Sequence, residues 1–169
     1  ALAARGEWDI HLLDLNKARG DEATSSIGGS ATFHQVDGTS YSSLASVFKT
    51  VFQTHSRIDF VFANAGIFEK ADFYASHEGV DPPAEVPQMD PVIDICLKSV
   101  ISTTYLSQHY FRLSPEETKG ERSLVMTASC GSLYPSYYSP QYTAAKHGVL
   151  GLMRAVAPHF MKYDGVRVN

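Results

Sequence analysis

Among 169 residues there are only two cysteines, Cys96 and Cys130, separated by 34 positions. That spacing and number exclude a disulfide scaffold, and both are expected as buried free thiols in a reducing compartment, the cytoplasm. No Asn-X-Ser/Thr sequon occurs, and the start Ala1-Leu2-Ala3-Ala4-Arg5-Gly6 lacks a charged segment followed by an apolar one, so no secretory signal is indicated. An initiator Met is also lacking, which sets the expectation that the chain starts inside a structural unit. Long hydrophobic runs are missing: the longest nearly apolar stretch, Phe60 to Phe68, is interrupted by Asn64 and is far too short to cross a bilayer. No membrane association is expected. Basic runs are missing as well, and 14 basic against 18 acidic side chains give a net charge of -4 and a pI near 5.9, which leaves no electrostatic basis for nucleic-acid binding. The histidines at positions 11, 34, 55, 77, 109, 147 and 159 include no pair three to five residues apart, so a helical zinc pair is excluded.

What is present fits one globular domain over 1–169, with 44% hydrophobic and 19% charged residues. Apolar runs of strand length alternate with longer segments of helical period. Trp8 to Leu15 reads as a strand, Asn16 to Ile27 as a short helix before Gly28-Gly29, and Ala31 to Val36 as the next strand. Ser40 to Thr54 sets Leu44, Val47, Phe48 and Val51 on one stripe, with Thr39 or Ser40 as the N-cap. Ile58 to Ala63 is a nearly all-apolar strand, as expected where both sheet faces are covered. Phe68 to Pro87 is a long proline-containing loop; Asp90-Pro91 predicts an N-cap and first helical proline opening a helix through about Leu113. After a polar connection, Ser114 to Glu121, come a strand at Ser123 to Thr127 and a loop from Ala128 to Pro140. A helix from Gln141 to Lys162, bent by Pro158, and a strand at Gly165 to Val168 complete the series. This order predicts an α/β, doubly wound, mostly parallel Rossmann-like sheet with helices on both faces. Ligands of such sheets sit beyond the carboxyl ends of the strands, which directs attention to the loops after Leu15, Val36, Ala63 and Thr127.

Tyr142 and Lys146 lie four apart on a predicted helix and share a face, where an ammonium beside a phenol favours the phenolate. That pairing makes Tyr142 a candidate general acid/base near neutral pH. Taken alone the spacing is weak, since nine tyrosines and seven lysines produce it readily by chance and a surface pair explains it equally well. Ser129 precedes Tyr142 by thirteen residues, just after the strand SLVMT; Asn64-Ala65-Gly66 follows the strand IDFVFA, and Asp14 closes WDIHLLD.

With Asp37, the segment Tyr142-Thr143-Ala144-Ala145-Lys146 and the closing Val166-Arg167-Val168-Asn169, these residues resemble the short-chain dehydrogenase/reductase family along nearly the whole chain. The stretch YTAAKHGVLGLMRAVA is most similar to the NAD-dependent branch that includes hydroxyprostaglandin dehydrogenase and many fungal alcohol dehydrogenases. The resemblance implies an oxidoreductase interconverting a secondary alcohol and a ketone. Tyr142 would transfer the proton at the substrate oxygen, Lys146 would lower its pKa and hold the nicotinamide ribose, and Ser129 would hydrogen-bond the substrate oxygen. Asp14, at the end of the family's second strand, would accept both adenosine ribose hydroxyls and repel a 2'-phosphate, favouring NAD(H) over NADP(H). Asp37 is implied near the adenine, although a helix-capping or turn role is as good a reading. The Asn64-Ala65-Gly66 triplet is expected to contact the cofactor through main chain. Tyr134, Tyr137 and Tyr138 suit a pocket for a hydrophobic alcohol or ketone, with packing of the proline-containing loop an equal competitor. His147 reads as a helix residue rather than a catalyst. Helices 89–113 and 141–162 are expected to build an even-numbered homo-oligomer as a four-helix bundle.

Two departures from the family pattern stand out. Cys96 falls where the family has an asparagine supporting a water that links the lysine to solvent, and a thiol is a much poorer hydrogen-bonding group. The family's first strand and its TGxxxGxG turn are not among these residues, nor is the part that follows Asn169, including the last strand. In the sheet order 3-2-1-4-5-6-7 that first strand is central, so two unpaired edges are expected across a gap on the order of 10 Å. Either this is the middle of a longer protein, or the fold has been rebuilt without its pyrophosphate cradle. In the second case a non-redox enzyme (isomerase, dehydratase or cyclase) or a cofactor-free pseudoenzyme becomes the alternative.

Overall fold

In the computed structural model, which describes residues 2–169, five parallel strands form two separate sheets. Strand β1 (Ile10–Asp14) pairs with β2 (Ala31–Gln35), from Ile10 opposite Ala31 to Asp14 opposite Gln35. Strand β3 (Phe60–Ala63) pairs with β4 (Ser123–Met126), which pairs in turn with the short β5 (Arg167–Val168). The α/β Rossmann-like class is therefore observed, and so is the split: β1 and β3 share no ladder. The halves are held together behind the sheets, where α2 (Tyr41–His55) packs on α4 (Ser99–Leu113) with Phe48 and Phe52 against the ring of Tyr110. At the front, Trp8 meets Phe60 edge to face, with ring centroids 6.2 Å apart. Leu44, Phe48, Val100, Phe111, Leu124, Met126, Val149 and Val166 belong to one continuous core.

The local signals set most helix starts. Asn16 caps α1 (Lys17–Ile27) by accepting from the Arg19 amide, and Ser40, rather than Thr39, caps α2 by accepting from Ser43. Helix α1 presses on β2 through Gly20, where a Cβ would lie 2.0 Å from the Phe33 ring. The connection after α4 is closed from within by the buried Arg122, whose guanidinium donates to the Phe111 and Pro115 carbonyls and to Thr118 Oγ1.

Several expectations need correction. All five strands are shorter than their apolar runs, because pairing, not hydrophobicity, sets where a ladder ends. Phe62, expected to be covered on both faces, is 54% exposed because β3 borders the open edge. Asp90 is not an N-cap: α3 (Met89–Ile93) starts after Gln88, which adopts φ 59° and uses its Oε1 to accept from the Lys70 and Ala71 amides. A π-helical turn, Asp94–Lys98, joins α3 to α4, and a second, Phe160–Asp164, follows α5 (Pro140–His159), so the helix widens at both places, and α5 runs through Pro158 without a break. Cys96 is buried as expected, but Cys130 is exposed, since it lies on the 3-10 turn Cys130–Ser132 beyond β4.

Candidate active site

The carboxyl ends of β3 and β4 carry the loops that meet the start of α5. The ladder is extended there by the Thr127 amide, which donates to the Ala63 carbonyl at 3.0 Å. The Thr127 hydroxyl donates to Asn64 Oδ1 at 2.7 Å, which fixes the first residue of the Asn64-Ala65-Gly66 loop against the next strand. The Thr127 carbonyl accepts from Lys146 Nζ at 2.8 Å. Lys146 is buried, and burial pushes its ammonium pKa down, opposed by the neighbouring Cys96 group. A Cβ at Gly66 would lie 3.6 Å from Lys146 Nζ and 3.8 Å from Cys96 Sγ, so the glycine keeps this corner open.

Lys146 Nζ is 5.7 Å from the centroid of the Tyr142 ring, one helical turn earlier on α5. Ser129 ends the strand-loop junction after β4. Its Oγ accepts from the Gly131 amide at 3.1 Å, and its own amide donates to Ser132 Oγ, forming a capping box that fixes the serine. A Cβ at Gly131 would be 3.5 Å from Ser129 Oγ and 3.9 Å from Tyr142 Cε1. Ser129, Tyr142 and Lys146 are thus brought to one side of the sheet end, with a hydroxyl, a phenol and an ammonium in sequence. Such a group holds donors where charge develops on a substrate oxygen and can move a proton there.

Other residues singled out in the sequence are placed differently. Asp14 closes β1 with an exposed carboxylate, accepting from the Asn16 amide at 2.7 Å. Asp37 is exposed and folds back on its own turn: the Thr39 hydroxyl and amide both donate to it and hold its carboxyl below the usual range. Its turn role is the one the structure displays. Tyr134, Tyr137 and Tyr138 are exposed on the loop between Ser129 and α5, with Tyr137 and Tyr138 rings 4.0 Å apart. His147 is exposed and bonds the Thr143 carbonyl. Cys96 lies in the π-helical turn; its thiol donates to the Ile67 carbonyl at 3.1 Å and accepts from the Ile67 amide at 3.3 Å, clasping the loop that follows Gly66. Two residues were not visible in the sequence pattern. Phe68 sets its ring 5.3 Å from that of Tyr142, and the buried Glu69 accepts from the first amides of α5. Both lie in an irregular loop, where no period or spacing marks a residue.

A fit to a nicotinamide dinucleotide is testable on these positions. The exposed Asp14 carboxylate suits two ribose hydroxyls, and the Cβ-free corner at Gly66 beside Lys146 Nζ suits a second ribose. Among the described residues no helix is long and apolar enough to cross a membrane, and no group of three or more His, Cys, Asp or Glu is arranged to hold a metal ion.

A profile described as short chain dehydrogenase matches residues 1–169. The chain is 49% identical to the short-chain dehydrogenase/reductase prx7 of Penicillium rubens, over all of this chain and 60% of that protein. It is 30% identical to the rat (Rattus norvegicus) 15-hydroxyprostaglandin dehydrogenase [NAD(+)], over 81% of this chain and 45% of that protein. The chain thus spans about half the length of these relatives. A crystal structure of a short chain dehydrogenase from Mycobacterium smegmatis superimposes with a TM-score of 0.79 at 23% identity, covering 95% of this chain and 63% of that one.

Proposed function

The chain belongs to the short-chain dehydrogenase family, and from that membership we propose that its Ser129–Tyr142–Lys146 group interconverts a hydrophobic secondary alcohol and a ketone, with NAD(H) as the coenzyme. The observation that carries the reading is the convergence of Ser129 Oγ and the Tyr142 ring edge on the space beside Gly131, with Lys146 Nζ behind the phenol. Bound coenzyme supplies the hydride acceptor or donor. The substrate oxygen is held by the Ser129 hydroxyl, whose own lone pair is engaged by the Gly131 amide. Tyr142 takes the proton from the alcohol, or gives it to the ketone, at that oxygen. Lys146, anchored by the Thr127 carbonyl, keeps a positive charge near the phenol as its proton leaves and retains donors for a ribose. Asp14 favours NAD(H), because an anion there accepts ribose hydroxyls and repels a phosphate. The exposed Tyr134, Tyr137, Tyr138 and Phe68 offer aromatic surface beside the site for an apolar substrate.

The test is Tyr142→Phe in the complete protein, assayed against a panel of hydrophobic secondary alcohols by coenzyme absorbance. Turnover should drop by roughly 10²–10⁴, the usual yield of a positioned general acid/base, while circular dichroism stays unchanged. A variant that keeps most of the rate removes Tyr142 from the mechanism. Lys146→Ala should also disable turnover and weaken coenzyme binding together.

A further inference from the structure

Helix α5 opens in an unusual way. Ser139 occupies its N-cap, yet the serine side chain makes no capping bond and its Oγ is buried without a partner. Pro140, at the first helical position, has no amide hydrogen to satisfy. The orphan donors of this helix start are therefore the amides of Gln141 and Tyr142, and an N-cap side chain would ordinarily accept from them. Here the acceptor comes from another part of the chain. Glu69 Oε2 accepts from the Gln141 amide at 2.9 Å and from the Tyr142 amide at 3.0 Å. Glu69 Oε1 accepts from Gln141 Nε2 at 3.0 Å, and that same Nε2 also donates to the Pro87 carbonyl at 2.8 Å. The glutamate is only 3% exposed, and the residue before it, Phe68, packs its ring against Tyr142.

We infer that Glu69 is a positioning residue for Tyr142, capping the catalytic helix from the loop that follows β3. The inference rests on the proposed role of Tyr142 in proton transfer. Glu69 touches the backbone of Tyr142, not its hydroxyl, so it acts by fixing where the phenol stands. Phe68 and Glu69 together grip one residue at both ends, ring and amide. Because the same loop begins with Asn64, tied to Thr127, the grip also registers the phenol against the loop facing the coenzyme. A carboxylate suits the place for two reasons. Negative charge is favoured at a helix start, and its two oxygens accept from all three N–H donors. A glutamine cannot do this: whichever way its amide is turned, its own NH₂ faces a donor.

The experiment compares Glu69→Gln, Glu69→Asp and Tyr142→Phe in the complete protein. Glu69→Gln should lower kcat by roughly tenfold to a hundredfold, the scale expected when a reacting group is misplaced by about an ångström, while KM values change less than about threefold. Glu69→Asp, which keeps the charge on a shorter arm, should recover part of the lost kcat. Hydrogen exchange should quicken at the Gln141 and Tyr142 amides ahead of the rest of α5. In a Tyr142→Phe background, Glu69→Gln should lower the residual rate by a much smaller factor than it lowers kcat in the otherwise unmutated protein, and an equal factor in both backgrounds would count against action through Tyr142. If Glu69→Gln does not fold, Glu69→Asp carries the test, with a reduced kcat at constant KM expected. A Glu69 variant with wild-type kcat, or one whose loss is confined to KM, overturns the inference. If Tyr142→Phe itself keeps its turnover, the proposed role of Tyr142 fails instead, so the two failures are distinguishable.

Discussion

His11 sits between two other imidazoles, with its Nδ1 2.9 Å from His34 Nε2 and its Nε2 3.0 Å from His55 Nε2. Asp9 Oδ2 lies 3.6 Å from the far nitrogen of His55. Each nitrogen–nitrogen contact holds one proton, so the three rings together carry at most one positive charge before a contact must break. Burial lowers the pKa of His11, with His34 and His55 adding to the shift and Asp9 opposing it; burial alone lowers that of His34. For bases with depressed folded-state pKa values, the unfolded chain binds protons first as pH falls. Stability is then full above the ordinary imidazole value of 6.5 and declines from there toward the folded values. A second acidic loss is separate: burial disfavours the charged form of Asp164, but hydrogen bonds from Arg112 and Gln108 outweigh it and hold its pKa below the ordinary 3.8, so its contribution fades only below that pH. The urea midpoint should therefore fall between pH 7 and pH 5, and His11→Phe should flatten that fall. An unchanged slope in the variant would assign the dependence elsewhere. At the site, Asp14→Ala should weaken NAD(H) more than NADP(H) in the complete protein, measured by titration; equal affinities of the unmutated protein for both defeat the assignment.

Helix α1 and strand β2 are in contact because position 20 has no side chain. An alanine there gains about 0.8–1 kcal/mol of helix propensity, but its Cβ must displace the Phe33 ring from 2.0 Å, and overpacking costs about 1–3 kcal/mol. Gly20→Ala should thus be destabilised by about 1 kcal/mol net, read from chemical denaturation; a stabilised variant would mean that the ring swings aside freely. The same contrast explains what was legible in the sequence. The cap at Ser40, one of two candidates beside Thr39, the period of α2 and the apolar runs of the strands follow from local chemistry, and the elements lie where those signals do, although Asn16 caps α1 rather than belonging to it. Ser129, Tyr142 and Lys146 could be singled out because their spacing repeats a family pattern, and the fold brings them close together. Gly20 against Phe33, the buried Arg122 and the cap donated by Glu69 were not legible, because each depends on a partner distant in sequence or outside any period. The two π-helical turns were illegible for another reason: an extra residue in a helix shifts the hydrogen-bond register without changing composition.

At the scale of the molecule, α4 shows Ile101 and Tyr105 to solvent, whereas Val100 and Val149 lie in the core. If the expected even-numbered homo-oligomer forms through helices 89–113 and 141–162, it would have to use this exposed set, and Ile101→Glu with Tyr105→Glu should shift light scattering toward the monomer; an unchanged mass would count against that face. The split between β1 and β3 bears on the coenzyme. In the family order the strand belonging in that interval ends in the turn whose amides cradle the pyrophosphate, and a helix start completes that anion site. Of the proposed coenzyme contacts, these residues would supply only those to the two riboses, at Asp14 and beside Lys146, and β1 and β3, which carry the neighbouring loops, lie in separate sheets. Ribose hydrogen bonds alone replace water contacts and yield about 0.5–1.5 kcal/mol each, too little to offset the several kcal/mol lost in immobilising a dinucleotide. A polypeptide of these 169 residues by itself should therefore show no saturable NAD(H) binding in calorimetric titration, while the complete protein binds. Clear micromolar binding to the 169-residue polypeptide would show that the two ribose positions suffice, and that the pyrophosphate needs no cradle from the interval between β1 and β3.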